Sequence, residues 1–148
     1  MKILVESNII LDVLLRREEH FDALKSILDL SASAITAFLT VYQTRDIFYI
    51  LRRSGLATVD AKESIKLLTT GIHVLNAEVS DVVNALNSRM IDYEDALLAY
   101  CANRHGMDFI VTRNVKDFIN SPVAVLTPVD FLNRLTPKST TNALNNDN

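Results

Sequence analysis

The sequence predicts an α/β protein, a three-layer α/β/α sandwich with a central parallel sheet of about five short strands. Short apolar runs without polar alternation, such as Ile3-Leu4-Val5, are typical of strands buried on both faces of a sheet. They alternate with longer segments whose apolar residues recur every three or four positions, the spacing of a helix that buries one face. The length of 148 residues and the hydrophobic share of 49% are typical of one globular domain.

The first half of the chain begins with a strand predicted over 3–5. It ends at Glu6-Ser7-Asn8, and the apolar residues of 9–15 then follow helical spacing. Asp12 and Arg16 lie four residues apart in this helix, so we expect them to pair on its outer face. Further helices are predicted over about 20–30, 41–53 and 58–70, and strands over 34–38 and 72–75.

The second half of the chain is predicted to contain helices over 80–90 and 93–105 and strands over 109–112 and 123–126. Thr127-Pro128 begins a last helix through residue 135, because Thr is a good N-cap and Pro fits the first helical position. Residues 1–135 form the predicted domain. Residues 136–148 are rich in Thr, Ser and Asn, and this composition predicts a disordered tail.

Composition excludes several classes of protein. Three isolated glycines cannot form the close-set loop with which a Rossmann or P-loop site wraps phosphate. The single Cys101 excludes an intrachain disulfide and a cysteine zinc cluster, and its apolar helical surroundings predict a core position. The net charge of −3 means that nucleic acid would need a local basic patch.

The sequence shows no pattern typical of a targeting signal or a membrane span. The apolar N-terminal stretch is interrupted by Glu6, Asn8 and Asp12, which is not typical of a signal peptide. No apolar run approaches the roughly 20 residues of a membrane span. We therefore expect a cytoplasmic protein.

Acidic residues lie at the predicted strand ends, where ligands of an open parallel sheet bind. Glu6 comes directly after the first strand, and Asp117 follows the fourth. The helix leading into the fourth strand begins with Asp92 and Asp95, which share a face, and Asp46 lies on the helix over 41–53 beside tyrosines. Other polar residues at these strand ends are Ser7, Asn8, Thr112, Arg113 and Asn114.

Several carboxylates at one strand-end crevice predict a cation site. Like charges repel, so unless some are protonated they need a cation between them. Carboxylate and amide oxygens with few histidines select Mg²⁺ or Mn²⁺ rather than zinc. Such ions commonly serve phosphodiester cleavage.

Each acid also has a purely structural interpretation. Asp92 could cap its helix, and Asp95 could stabilise the positive end of the helix dipole. Asp46 could be an exposed charge and Asp117 a loop acid. Glu6 is the hardest to explain in this way, because a carboxylate directly after a buried strand is poorly solvated and needs a partner.

Five segments together carry a family pattern over about residues 1–135. They are MKILVESNIILDVL (1–14), DIFYILRR (46–53), DYEDAL (92–97), IVTRNVKDF (110–118) and LTPVDFL (126–132). In this order they resemble the PIN-domain pattern. That family is a Mg²⁺/Mn²⁺-dependent ribonuclease fold that includes the toxin subunits of type II toxin–antitoxin pairs. The resemblance implies RNA as the substrate, and an antitoxin and a second copy of the chain as partners.

The same resemblance assigns roles to residues of this chain. It implies Glu6, Asp46 and Asp95 as catalytic acids that hold Mg²⁺ or Mn²⁺, with Asp117 as a further catalytic carboxylate. Two more metal-holding positions and the substrate contacts follow from the same motifs. These are Asp92 and Asn114 for the metal, Ser7, Asn8, Thr112 and Arg113 for the substrate, and Arg45 or Arg52 as further phosphate contacts.

Two positions depart from the family pattern. Glu6 stands where the family usually has Asp, and Asp46 where it usually has Glu. Each exchange keeps the charge but moves the oxygens by about one methylene, and Mg²⁺ demands near-ideal distances. The alternative function is therefore a PIN-like module, catalytically weakened, that binds RNA or a protein partner without turnover.

A phosphoacceptor receiver domain is a second alternative of similar size. That chemistry needs an aspartate at the end of the third strand and a lysine near the end of the fifth. This chain has Asn76 and Thr127-Pro128 at those places, which disfavours it.

Overall fold

A five-stranded parallel sheet forms the middle layer of the structure, a computed structural model that describes residues 1–17, 21–22, 25–27, 29 and 34–135. The strands are β1 (Lys2–Val5), β2 (Thr36–Thr40), β3 (His73–Leu75), β4 (Phe109–Val111) and β5 (Val125–Leu126). They lie in the order β3-β2-β1-β4-β5, and each neighbouring pair is parallel. The predicted parallel α/β sheet is confirmed, with β2 two residues later than expected.

Helices cover both faces of this sheet. They are α1 (Ser7–Leu14), α2 (Val41–Arg53), α3 (Thr58–Gly71), α4 (Val79–Leu86), α5 (Tyr93–Arg104) and α6 (Pro128–Leu135), with a 3₁₀ helix at Val115–Phe118. The helix expected over 80–90 spans Val79–Leu86, and the Ser88 N–H donates to the Ala85 carbonyl at 3.2 Å, three residues back, so the pattern of bonds four residues apart stops there. Of the helix expected over 20–30, residues 21–22, 25–27 and 29 are described and are helical, and the rest lie outside the described residues, as does the whole tail 136–148.

β1 lies at the centre of the sheet and separates two apolar cores. Ile3 and Val5 contribute to the core that includes α1, α2 and α6, whereas Leu4 contributes to the core on the α5 side. All three side chains are fully buried. A strand buried on both faces reads as a continuous apolar run, which is why this segment shows no alternation.

Gln43 ties the first turn of α2 to the carboxyl end of β1. Its Nε2 donates to the Val5 carbonyl at 2.8 Å, and its Oε1 accepts from the Thr40 backbone N–H at 2.7 Å. The Thr40 hydroxyl accepts from the Gln43 N–H, which completes a capping box. The buried Gln43 side chain therefore fixes where α2 begins relative to the residue that follows β1.

A buried ion pair joins α4 to the end of α5. Arg104 donates from Nε and Nη2 to the two oxygens of Asp81, both at 2.8 Å, and from Nη2 to the Asn76 carbonyl at 2.7 Å. Only 1% of Asp81 is exposed. Since α5 begins with the acidic segment 92–95, this pair helps to set the orientation of the helix that carries Asp95.

Removal of the Arg104 guanidinium tests this packing. In Arg104→Met the buried Asp81 carboxylate loses its paired donors, so we expect the unfolding free energy to fall by roughly 3 kcal/mol. Lys66→Met removes a cation that lies 3.4 Å from Glu63 on the exposed face of α3 and is the matched control, with an expected loss below about 1 kcal/mol. Urea denaturation of both variants measures the difference, and equal losses would contradict the structural role of Arg104.

Candidate active site

Glu6 is held at the carboxyl edge of the sheet by both its backbone and its side chain. Its backbone N–H donates to the Val111 carbonyl at 3.0 Å, so it lies against the end of β4. Its Oε2 accepts a short hydrogen bond of 2.5 Å from the Thr112 hydroxyl, and Thr112 is fully buried. Burial raises the pKa of Glu6, and the Thr112 hydrogen bond and the Arg113 charge offset this in part. Thr112 thus supports the first acid.

Asp95 lies in the first turn of α5 and faces the same edge. Burial, with the charges of Glu6, Asp92 and Asp117, raises the pKa of Asp95 to about 7. These carboxylates are therefore close enough to repel one another. The sequence-based prediction that acids from β1, α5 and the segment after β4 converge agrees with this electrostatic coupling.

Asp92 lies at the start of α5, beside Asp95, and caps the helix. Its Oδ1 accepts the backbone N–H groups of Glu94 at 2.8 Å and of Asp95 at 3.0 Å. This is the N-cap geometry that the sequence offered as the structural interpretation. Asp92 therefore fixes the turn that presents Asp95.

Asp46 reaches the cleft from α2 and is paired with its neighbour in the chain. Arg45 donates to Asp46 Oδ1 from Nε at 2.9 Å and from Nη2 at 2.8 Å. The Asp46 side chain is 41% exposed and that of Arg45 82%. In this conformation one oxygen of the second acid is occupied by an exposed guanidinium.

A cleft of about 900 Å³ brings three of the predicted acids together. Glu6, Asp46 and Asp95 line it, and three tyrosines and Glu94 contribute to its wall. Ser7, Asn8 and Arg45 line it as well, whereas six predicted residues stand outside the lining. Those six are Arg52, Asp92, Thr112, Arg113, Asn114 and Asp117.

The residues after β4 act around the cleft rather than in its lining. The Asn114 backbone N–H donates to the Thr112 hydroxyl oxygen at 2.9 Å, and the Asn8 amide approaches the same oxygen at 3.5 Å. Asp117 lies on the 3₁₀ helix and contributes to the raised pKa values of Glu6 and Asp95. Thr112 is thus the common partner of the first acid and the β4 loop.

Arg113 pairs with Asp12, a carboxylate that was expected on the outer face of α1 but is buried. Asp12 is fully buried, with Arg113 Nε at 3.3 Å from Oδ2 and Arg17 Nη1 at 3.5 Å from Oδ1. The expected outer-face pair of Asp12 with Arg16 is wrong, because α1 ends at Leu14 and Arg16 adopts a positive φ of 51°. The apolar residues on both sides of Asp12 are a signal that this short helix is buried all round.

Cys101 is confirmed as a core residue. It is fully buried, and burial raises the pKa of its thiol to about 12. A thiol with this pKa is almost entirely protonated near neutral pH, which excludes it as an activated nucleophile.

The donor set fits a hard divalent cation in its chemistry. The cleft offers carboxylate and amide oxygens, and a cation would relieve the repulsion that raises the pKa of Asp95. As the side chains stand in the described ranges, no three His, Cys, Asp or Glu residues are grouped so that they could hold an ion, so the acids of the cleft would have to turn towards one another to bind it. The pairing of Asp46 with Arg45 keeps one of the three acids engaged.

Fold and cleft together define an α/β protein with an acidic site at the carboxyl edge of a parallel sheet. A family model described as a PIN domain matches residues 2–116. The chain belongs to the PIN domain family. A comparison with curated protein sequences finds no significant match. Across the part of the chain that the structure describes, each helix is too short or too polar to cross a membrane.

Solved structures share this fold at low sequence identity. VapBC2 from Rickettsia felis bound to a promoter DNA fragment is 16% identical with a TM-score of 0.70, over 86% of this chain and 98% of that chain. VapBC-1 from nontypeable Haemophilus influenzae is 15% identical with a TM-score of 0.68, over 87% and 99%. VapC20 from Mycobacterium tuberculosis, described as a Sarcin-Ricin loop cleaving toxin, is 15% identical with a TM-score of 0.57, over 73% and 86%.

The clustered acids predict a pH dependence of the metal-free protein. Glu6 and Asp95 bind protons more tightly when folded than in the unfolded chain, where carboxyl groups titrate near pH 4. Between about pH 4 and 7 the folded state therefore holds more protons, and stability falls as the pH rises. In EDTA we expect the unfolding free energy to decrease from about pH 5 to pH 8, and Asp95→Asn to flatten this decrease.

Urea denaturation across this pH series provides the measurement. Asp60→Asn is the control, because Asp60 is an exposed acid in the first turn of α3 and does not line the cleft. It should keep the wild-type slope. A wild-type protein that gains stability over the same range would contradict the raised pKa values.

Proposed function

We propose that this protein is a Mg²⁺- or Mn²⁺-dependent endoribonuclease that hydrolyses RNA phosphodiesters, and that it is the toxin of a toxin–antitoxin pair. The observation that carries the proposal is the convergence of Glu6, Asp46 and Asp95 on one cleft at the carboxyl edge of the sheet. Membership of the PIN family supports it, as does the shared fold with a toxin described as cleaving the Sarcin-Ricin loop.

Glu6, Asp46 and Asp95 are the residues that would hold the ion. A divalent ion bound there supplies positive charge that activates water and neutralises the phosphate. Thr112 orients Glu6 through its hydroxyl, and Asp92 holds the α5 turn that presents Asp95. We assign Asn114 a supporting role at the Thr112 hydroxyl, through its backbone N–H.

Asp117 is the carboxylate that we assign to the attacking water. It is exposed on the 3₁₀ helix and interacts electrostatically with both Glu6 and Asp95. A carboxylate at that place accepts a hydrogen bond from water and orients the oxygen towards the phosphorus. Ser7 and Asn8 line the cleft beside Glu6 and are the proposed contacts to the substrate.

The proposed partners follow from the family and from the same fold comparisons. Two of the similar structures are VapBC assemblies. We propose an antitoxin for this chain, with a basic residue that neutralises the acidic cleft, and a homodimer or higher homo-oligomer. The cytoplasmic location stays a prediction of the sequence.

Cleavage of a labelled mixed-sequence RNA tests the proposed activity. With Mn²⁺ or Mg²⁺ we expect cleavage that EDTA abolishes and that Asp95→Asn reduces by about 100-fold or more, since even residues that only orient metal ligands contribute about 10- to 100-fold. Asp60→Asn should cleave as the wild type does. Cleavage that persists in Asp95→Asn would indicate a contaminating nuclease.

The alternative is a PIN-like module that binds RNA or a protein without turnover. The Arg45–Asp46 pair and the presence of Glu6 at the first position favour it. If the wild type shows no cleavage, Glu6→Asp in the same assay distinguishes a weakened nuclease from a binding module. Recovered cleavage would mean that one methylene separates this chain from an active enzyme.

Thermal melting with Mn²⁺ gives a second, independent measurement. An ion that binds only the folded protein stabilises it by about 2.7 kcal/mol at a concentration 100 times its Kd. We expect millimolar Mn²⁺ to raise the Tm of the wild type and to raise that of Asp95→Asn much less. An unchanged wild-type Tm would mean that the ion scarcely binds, and the non-catalytic module would then be the better description.

A further inference from the structure

Arg113 and Arg45 both lie near the acidic cleft, but they have different partners. Arg113 was expected to contact phosphate, but its guanidinium lies against the buried Asp12. Arg45 is the only cation among the described residues that line the cleft. An RNA that enters an acidic cleft in a chain of net charge −3 needs positive charge beside it.

A second groove shares one lining residue with the cleft. It lies between α2 and α3, has a volume of about 340 Å³, and is lined by Thr44, Arg45, Phe48, Lys62 and Ile65. Phe48 and Ile65 are half-buried and pack against the core, so they form an apolar floor. Arg45 lines both cavities, so the groove adjoins the cleft at this residue.

The two edges of this groove are positively charged. Arg45 stands on the α2 side and the exposed Lys62 on the α3 side. Among the described residues, no acid pairs with Lys62, whereas Lys66 one turn later lies 3.4 Å from Glu63. The hairpin over 41–71 carries five Lys or Arg against three Asp or Glu, although the whole chain carries 15 against 18.

We propose that the α2–α3 groove binds the sugar–phosphate backbone of single-stranded RNA beside the cleft. The inference rests on the proposed function, because it concerns the substrate of the same site. Lys62 and Arg45 contact phosphates on the two edges, and the Phe48–Ile65 floor receives the apolar face of a ribose or base. Arg45 is long enough and exposed enough to serve either Asp46 or a phosphate.

The salt dependence of RNA binding tests the groove without any cleavage. The full-length chain in EDTA is titrated against a short unstructured fluorescent RNA at several salt concentrations, with anisotropy as the readout. Each lost phosphate contact to a single strand reduces the slope of log K against log salt by about 0.7. We expect Lys62→Ala to show that reduction.

Two matched controls remove one positive charge each from elsewhere. They are Lys66→Ala and Lys116→Ala. Lys66 lies on α3, as Lys62 does, but outside the groove, and Lys116 lies on the 3₁₀ helix, outside both cavities. Both should keep the wild-type slope. Equal reductions in Lys62→Ala, Lys66→Ala and Lys116→Ala would overturn the proposal, because they would show a diffuse charge effect. All variants should melt close to the wild-type temperature, since these side chains are exposed.

Failure of the groove and failure of the nuclease give different results. Wild-type cleavage with a Lys62→Ala slope equal to that of Lys66→Ala overturns the groove and leaves the nuclease. A selective loss in Lys62→Ala without any wild-type cleavage supports the groove and favours the binding module. Lys62-dependent binding of polyglutamate together with no binding of the RNA would overturn the proposal in favour of an acidic polypeptide.

Discussion

The Gln43 side chain is the contact on which the geometry of the acidic cleft most depends. It joins the Val5 carbonyl at the end of β1 to the capping box at the start of α2. Glu6 follows the first of these points directly, and Asp46 lies one turn beyond the second. Because Gln43 is only 3% exposed, its loss would leave buried backbone groups without partners. An uncharged amide therefore sets the spacing between two acids that line the same cleft.

The fold holds carboxylates close together in the cleft although their charges repel one another. Glu6 and Asp95 are partly buried and close to further carboxylates, and both have raised pKa values. Such an arrangement costs stability and persists because packing elsewhere supports it. The fully buried strand β1 and the Asp81–Arg104 pair are part of that support. A ligand that brings positive charge to the cleft would recover some of this free energy.

The sequence predicts the sheet and the gathering of acids well, because both follow from local patterns. A continuous apolar run such as 3–5 indicates a doubly buried strand, and parallel strands bring the residues after β1 and β4 to one edge. The Arg45–Asp46 pair and the Asp12–Arg113 pair could not be predicted in this way. They depend on side-chain directions and on where α1 ends, which charge spacing alone does not determine. Arg113 was therefore expected at a phosphate, whereas the structure places it against Asp12.

The capping box at Thr40 and Gln43 is a contact that the sequence predicts only in part. Thr followed three residues later by Gln is the pattern of this motif, so the start of α2 was predictable to within a residue. The bond from Gln43 Nε2 to Val5 was not, because it joins residues 38 positions apart in the chain. Contacts within one turn are encoded locally, while the contact that aligns the two acids exists only once the sheet has formed.

Both edges of the sheet are very short. β3 has three residues and β5 has two, so each border exposes little unpaired backbone to a neighbouring polypeptide. A strand from another molecule would find almost no ladder to extend. Recognition through exposed side chains of the described helices would let the choice of partner change without disturbing the sheet, while the acidic cleft stays the same.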